Sequence, residues 1–113
     1  MPRSQKPMPP ASLHVVLALL DGELHGYALM TRVAELSDGA VRMGPGTVYG
    51  TINRLLADGM IEETADRVAR DDSEGRRYYR LTSSGRVAAV EELTRLQRMV
   101  HHVARHLPGP ASA

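Results

Sequence analysis

Seven prolines occur in this 113-residue chain, and six of them, Pro2, Pro7, Pro9, Pro10, Pro108 and Pro110, sit in the terminal segments. Proline fixes φ and removes a backbone donor, so the two ends are poor candidates for regular structure. The stretch between them contains Pro45 alone and is free to form helices and strands. The folded body is therefore expected over about residues 11–107, with residues 1–10 and 108–113 as mobile tails. A body of that length makes one domain with a modest core. Absence of cysteine excludes disulfides, thiolate metal sites and cysteine nucleophiles, and fits a reducing cytoplasm. No apolar run approaches the roughly 20 residues that span a bilayer, and the N-terminal segment lacks the apolar stretch of a signal peptide.

Apolar spacing divides the body into elements. Ser12 is a suitable N-cap for a first helix with Leu13, Val16, Leu17 and Leu20 at helical spacing, ended by Asp21-Gly22. A second helix follows Leu24-His25-Gly26-Tyr27, with Leu29, Met30, Val33 and Leu36 on its apolar side and Ser37-Asp38-Gly39 closing it. Gly44-Pro45-Gly46-Thr47 opens a third, with Pro45 at its start and Gly59 at its C-cap. On a helical wheel Val48, Ile52, Leu55 and Leu56 share one face. Thr47, Gly50, Asn53, Arg54 and Ala57 share the other, with Tyr49 on the flank. That outward face is small and polar, so it permits close approach to another surface.

Two extended runs, about 61–68 and 76–81, then flank the turn Asp71-Asp72-Ser73-Glu74-Gly75 and predict a β-hairpin. In the second run Tyr79 and Leu81 share the inward face, and Tyr78 points outward with Arg76 and Arg80. Thr82 caps a last helix over about 83–106. Along it Ala89, Leu93, Leu96, Val100, Val103 and Leu107 step by alternating fours and threes, the seam of a helix that packs along another. Val87 and Val90 lie off the seam, where they are expected to dock the helix on its own domain. An exposed apolar seam on a small chain calls for a partner, and a second copy is the simplest one. The fold expected is mainly α with a small β-hairpin: a winged helix-turn-helix followed by a long C-terminal dimerisation helix.

At this point the sequence resembles the PadR-like family of transcriptional regulators. The resemblance is carried by His25-Gly26-Tyr27, by Gly46-Thr47-Val48-Tyr49 with Arg54-Leu55-Leu56-Ala57-Asp58-Gly59-Met60-Ile61, and by Arg77-Tyr78-Tyr79-Arg80-Leu81-Thr82-Ser83-Ser84-Gly85. Order and spacing both fit, in the manner of the compact branch with one C-terminal helix. The resemblance implies a cytoplasmic homodimeric repressor that binds a roughly palindromic operator in double-stranded DNA and releases it when a small molecule binds. It divides the chain into a DNA-binding domain at 11–82 and a dimerisation helix at 83–107.

Roles then follow by residue type. Thr47, Tyr49 and the start of the third helix suit phosphates. Asn53 suits adenine and Arg54 guanine. Arg76 and Arg77 can grip phosphate or enter the minor groove. Tyr49 either contacts DNA or bridges helices, whereas Tyr27 is expected in the core and His25-Gly26 in a close-packed turn. Gly50 stands where the family commonly has proline, opening a close backbone approach. The wing turn is acidic where relatives tend to be basic.

Charge is the feature that least suits nucleic acid. The net value of +1 conceals −5 over residues 58–74 and +5 over 75–113. An acidic segment of this kind also suits a winged-helix module that docks a protein instead of DNA. His102 and His106 have a spacing that can hold zinc but no carboxylate or thiolate completes a set, so neither metal nor cofactor is expected. No catalytic constellation can be drawn, and Glu62-Glu63 and Glu91-Glu92 read as solvated faces. Any effector pocket at the dimer interface is expected to be aliphatic and to take a hydrophobic or phenolic ligand, because no Phe or Trp is available to sandwich a flat one.

Overall fold

The computed structural model describes residues 7–64 and 77–107. The tails at 1–6 and 108–113, the turn Asp71-Asp72-Ser73-Glu74 and Arg76 fall outside the described residues. The chain runs α1 (Pro10–Ala18), β1 (Leu24–His25), α2 (Gly26–Leu36), α3 (Pro45–Ala57), β2 (Ile61–Glu63), β3 (Tyr78–Leu81) and α4 (Ser83–Val103), with a 3₁₀ turn at Ala104–His106. Antiparallel pairing gives a three-stranded sheet in the order β1-β3-β2. The sequence implied a hairpin, and β1 is an addition to it. Two residues of strand have no periodicity of their own, and Leu24 and His25 are strand because Tyr79 and Tyr78 pair with them.

Helix α1 begins earlier than its Ser12 cap predicts. Pro10 occupies the first turn and Leu13 N–H donates to Pro9 O at 2.9 Å, so Ser12 lies inside the helix and is buried. A proline there has φ already set for the helix and an N–H that no helix start could use. Its buried residues also differ from the predicted stripe: Val15, Val16 and Ala18 are enclosed, as is Leu19 just beyond, while Leu13, Leu17 and Leu20 are half-buried. The helix is enclosed on several sides by α2, α3 and α4, and no single stripe describes it.

The core joins Val15, Val16 and Leu19 to Leu29 and Val33 of α2 and to Val48, Ile52 and Leu55 of α3. Ile61, Tyr79 and Leu81 close it from the sheet, and Ala89 from α4. Burying each large aliphatic side chain contributes about 1.5–3 kcal/mol, so α3 is held chiefly by its three. Helix α3 ends in a Schellman turn, with Met60 N–H donating to Leu55 O at 3.0 Å and Gly59 N–H to Leu56 O at 3.1 Å. Gly59 takes φ +74°, a left-handed value that favours glycine.

One knot ties the end of α3, the sheet and α4 together. Thr82 Oγ1 accepts from Gly85 N–H at 3.0 Å and donates to Gly59 O at 2.7 Å, and Thr82 N–H donates to Met60 O at 3.0 Å. Gly85 lies so close beneath the Met60 carbonyl that a Cβ would collide with it.

Helix α4 corrects the expected division of its faces. Ala89 is fully enclosed in the chain's own core, whereas Val87 and Val90 are 51% and 52% exposed. The heptad pattern located apolar positions but could not tell which surface covers them. Its first half packs on the domain through Gly85, Ala89 and Glu92. Leu93 and Leu96 are half-buried, and Met99, Val100, Val103 and Leu107 are exposed on the half that overhangs. Glu92 is buried, takes Nε and Nη2 of Arg95 at 3.1 and 2.7 Å, and accepts Met8 N–H at 3.2 Å. The Arg95 hydrogen bond holds its carboxyl below the ordinary glutamate range. Met8, placed in the tail by the sequence, therefore packs against the domain.

Candidate nucleic-acid interface

Helix α3 presents to solvent the face that the sequence singled out. Thr47, Tyr49, Gly50, Asn53 and Arg54 are all exposed, while Val48, Ile52 and Leu55 face the core. Thr51 was missed. It is buried, and its hydroxyl donates to Thr47 O at 2.8 Å, which satisfies the group inside the helix. No side chain caps the start of α3, leaving the Gly46 and Thr47 amides pointing out of its first turn. Gly50 has nothing within 4 Å of the position a Cβ would take, so the helix is open there to an approaching backbone. Arg54 makes no ion pair among the described residues.

Tyr49 bridges helices, one of the two roles expected of it, and keeps an exposed flank. Its ring lies across Gly26, whose absent Cβ would strike the phenol, yet the residue remains 45% exposed. The start of α2 thus supports the tyrosine from below. Tyr27 departs from expectation: it is 69% exposed at the start of α2, because Leu29 and Val33 already fill the inward side of this short helix. His25 is the cap of α2, its Nδ1 accepting from Ala28 N–H at 3.1 Å, and its ring meets Tyr78 edge-on at 5.2 Å. The His25-Gly26 pair is thus the close-packed turn implied by the sequence.

The wing has a different electrostatic character. Arg77, a candidate phosphate contact, donates from Nη1 to Glu63 Oε2 at 3.4 Å, and Arg80 Nε donates to Glu62 Oε2 at 2.8 Å. Glu62 lies directly opposite Arg80 in the β2–β3 register. Sequence reasoning treated Glu62 and Glu63 as solvated and did not pair them. The signal was present in the facing charges, but it needs a register to be read. Tyr79 is buried, as its strand parity implies, and burial, followed by the Glu63 charge, pushes its hydroxyl pKa up.

Among the described residues, no three His, Cys, Asp or Glu side chains converge as a metal site would require. His106 falls in the 3₁₀ turn, so the helical i, i+4 spacing assumed for it and His102 is not kept. Among the described residues, no helix is long and apolar enough to cross a membrane. A shallow groove of about 500 Å³ along α4 is lined by Val90, Glu91, Thr94, Arg95 and Arg98.

Three helices, a β2–β3 wing and an exposed third helix define a winged helix-turn-helix protein. Residues 16–91 match the transcriptional regulator PadR-like family, and the chain belongs to that family. It is a transcriptional regulator and not an enzyme. Among curated proteins it is 40% identical over 91 residues to the transcriptional regulator Rv3488 of Mycobacterium tuberculosis, covering 80% of this chain and 79% of that one. A PadR family transcription regulator from Clostridium difficile superposes with a TM-score of 0.69 at 19% identity, covering 88% of this chain and all of the other. The Bacillus subtilis PadR structure, solved in complex with operator DNA, gives 0.63 at 22% identity over 78% of this chain and 48% of that one. At these identities the two structures speak for the fold.

Proposed function

We propose that the chain acts in the cytoplasm as a homodimeric repressor that binds a roughly palindromic operator and is released from it by a small hydrophobic or phenolic ligand. The observation that carries the reading is the outward face of α3, where Thr47, Gly50, Asn53 and Arg54 stand clear of the protein beside a supported Tyr49. In this reading Thr47, Tyr49 and the α3 amides fix the helix on phosphates, Gly50 lets its backbone approach, and Asn53 and Arg54 meet base edges. Arg77 faces the adjacent backbone from the wing with its charge shared with Glu63.

The second copy packs on the overhanging half of α4 through Leu93, Leu96, Val100, Val103 and Leu107. The exposure of Val100, Val103 and Leu107 and the partial exposure of Leu93 and Leu96 in the single chain support this, because an apolar overhang is costly until covered. Ala89, enclosed in its own core, drops out of that surface. Two α3 helices related by a two-fold axis then read half-sites about 34 Å apart.

Selection of duplexes from a random-sequence library by the purified chain tests the reading. Enrichment of an inverted repeat, bound with submicromolar affinity that falls steeply with salt, is the expected result. Recovery of no sequence above the input would sink it. A panel of hydrophobic and phenolic compounds, titrated into the recovered complex, tests the release step.

A further inference from the structure

The described positive side chains of the wing, Arg77 and Arg80, are already occupied. Arg80 and Arg77 each donate to a glutamate of the facing strand, at 2.8 Å to Glu62 and 3.4 Å to Glu63. These four side chains are between 46% and 70% exposed, so the pairs stand in water where a phosphate could reach them. Exposed ion pairs of this kind add only about 0–1 kcal/mol each to folding, and stability gives little reason for two of them, one on each face of the β2–β3 pair. Arg54 on α3 has no such partner among the described residues. Among the described residues the one arginine of the third helix is unengaged, and the two described arginines of the wing are tethered.

An arginine on a DNA-facing surface attracts any duplex, because phosphate contacts carry no sequence information. Each one that neutralises a phosphate also releases a counterion and steepens the salt dependence of binding. A carboxylate on the same guanidinium competes for it and repels the incoming phosphate. We propose that Glu62 and Glu63 are positioning residues of the DNA-binding surface: as built-in counter-ions they hold Arg80 and Arg77 and keep the wing's sequence-independent attraction low. Affinity is thereby left to α3. The proposal rests on the reading of the chain as a DNA-binding regulator and assigns a job to two acids that otherwise oppose it.

Three proteins test it: the wild type, the Glu62→Gln/Glu63→Gln variant, and that variant with Arg77→Gln and Arg80→Gln added. Each is titrated by fluorescence anisotropy into a random-sequence duplex and into the duplex that the wild type selects, over a range of salt. The double variant is expected to bind the random duplex about tenfold more tightly, with a log–log salt slope steeper by about 2 as two further phosphates are neutralised. The fourfold variant is expected to lose both changes. Thermal melts of all three should agree closely, since the pairs contribute little to the fold. Unchanged affinity and slope in the double variant would overturn the proposal. So would a gain that survives loss of the arginines, which would reduce the acids to simple repulsion. A wild type that selects no duplex overturns the functional reading itself, which separates that failure from failure of the counter-ion proposal.

Discussion

Helix α3 and the wing are both placed to meet a partner surface, yet they are built in opposite ways. Helix α3 is anchored by three buried aliphatics and leaves Asn53 and Arg54 without a side-chain partner among the described residues. The wing rests on short strands whose inward residues, Ile61, Tyr79 and Leu81, join the core while its described charges pair across the two strands. A rigid element with open side chains can discriminate. A neutralised one can touch without committing. On the proposed function the difference puts base reading on one helix, although formal charge alone would have pointed to the arginine-rich second strand.

The comparison can be broken most severely at the root of the wing. Gly85→Ala drives a methyl group into the Met60 carbonyl, a backbone atom with no rotamer to adopt, and should cost about 3 kcal/mol in urea unfolding. On the side of α3, Gly26→Ala displaces the Tyr49 ring, which can swing away, so a smaller loss of about 2 kcal/mol is expected. Adding Tyr49→Ala should recover part of that loss. A double-mutant cycle with no coupling would show that the ring does not depend on the glycine.

Binding experiments sharpen the contrast further. Arg54→Ala should weaken the selected duplex by about tenfold, within the range for a lost base contact, and a random duplex less. Equal losses on both would assign Arg54 to the backbone. Gly50→Ala should stabilise the fold by about 0.5–1 kcal/mol, since the added methyl meets nothing in the chain and improves helix propensity. The same change should weaken DNA binding, and unaltered binding would remove the close approach assigned to this position. Arg77→Ala should have the smallest effect, within about twofold on a random duplex, because its charge is already shared with Glu63.

Legibility of the sequence varied with how local the determining chemistry was. Gly44-Pro45 and Gly59 announced both ends of α3, because a proline start and a left-handed glycine stop act within a few residues. The outward face of that helix was equally readable, since helical periodicity alone sorts Asn53 and Arg54 from Ile52 and Leu55. Helix α1 was located but mis-capped, as Ser12 and Pro10 both suit a helix start. Strand β1 was invisible because only its pairing with β3 makes it a strand. On α4, spacing marked Ala89 and Val100 as equivalent, but one is covered by its own domain and the other is bare. The Glu62–Arg80 and Glu63–Arg77 pairs depended on register across a turn, which no local pattern supplies.

The knot of Gly59, Met60, Thr82 and Gly85 has a mechanical consequence. Helix α4, about 30 Å long at 1.5 Å per residue, is gripped at one end by the Gly59 and Met60 carbonyls just beyond α3 and by the end of β3. Its far end carries the apolar residues through which a second copy would hold it. The helix is therefore a lever with its fulcrum beside α3. In the proposed dimer, a small pivot between two such levers, whatever triggers it, would become a change in the distance and tilt between their two third helices, which is the gauge that a palindromic site would measure.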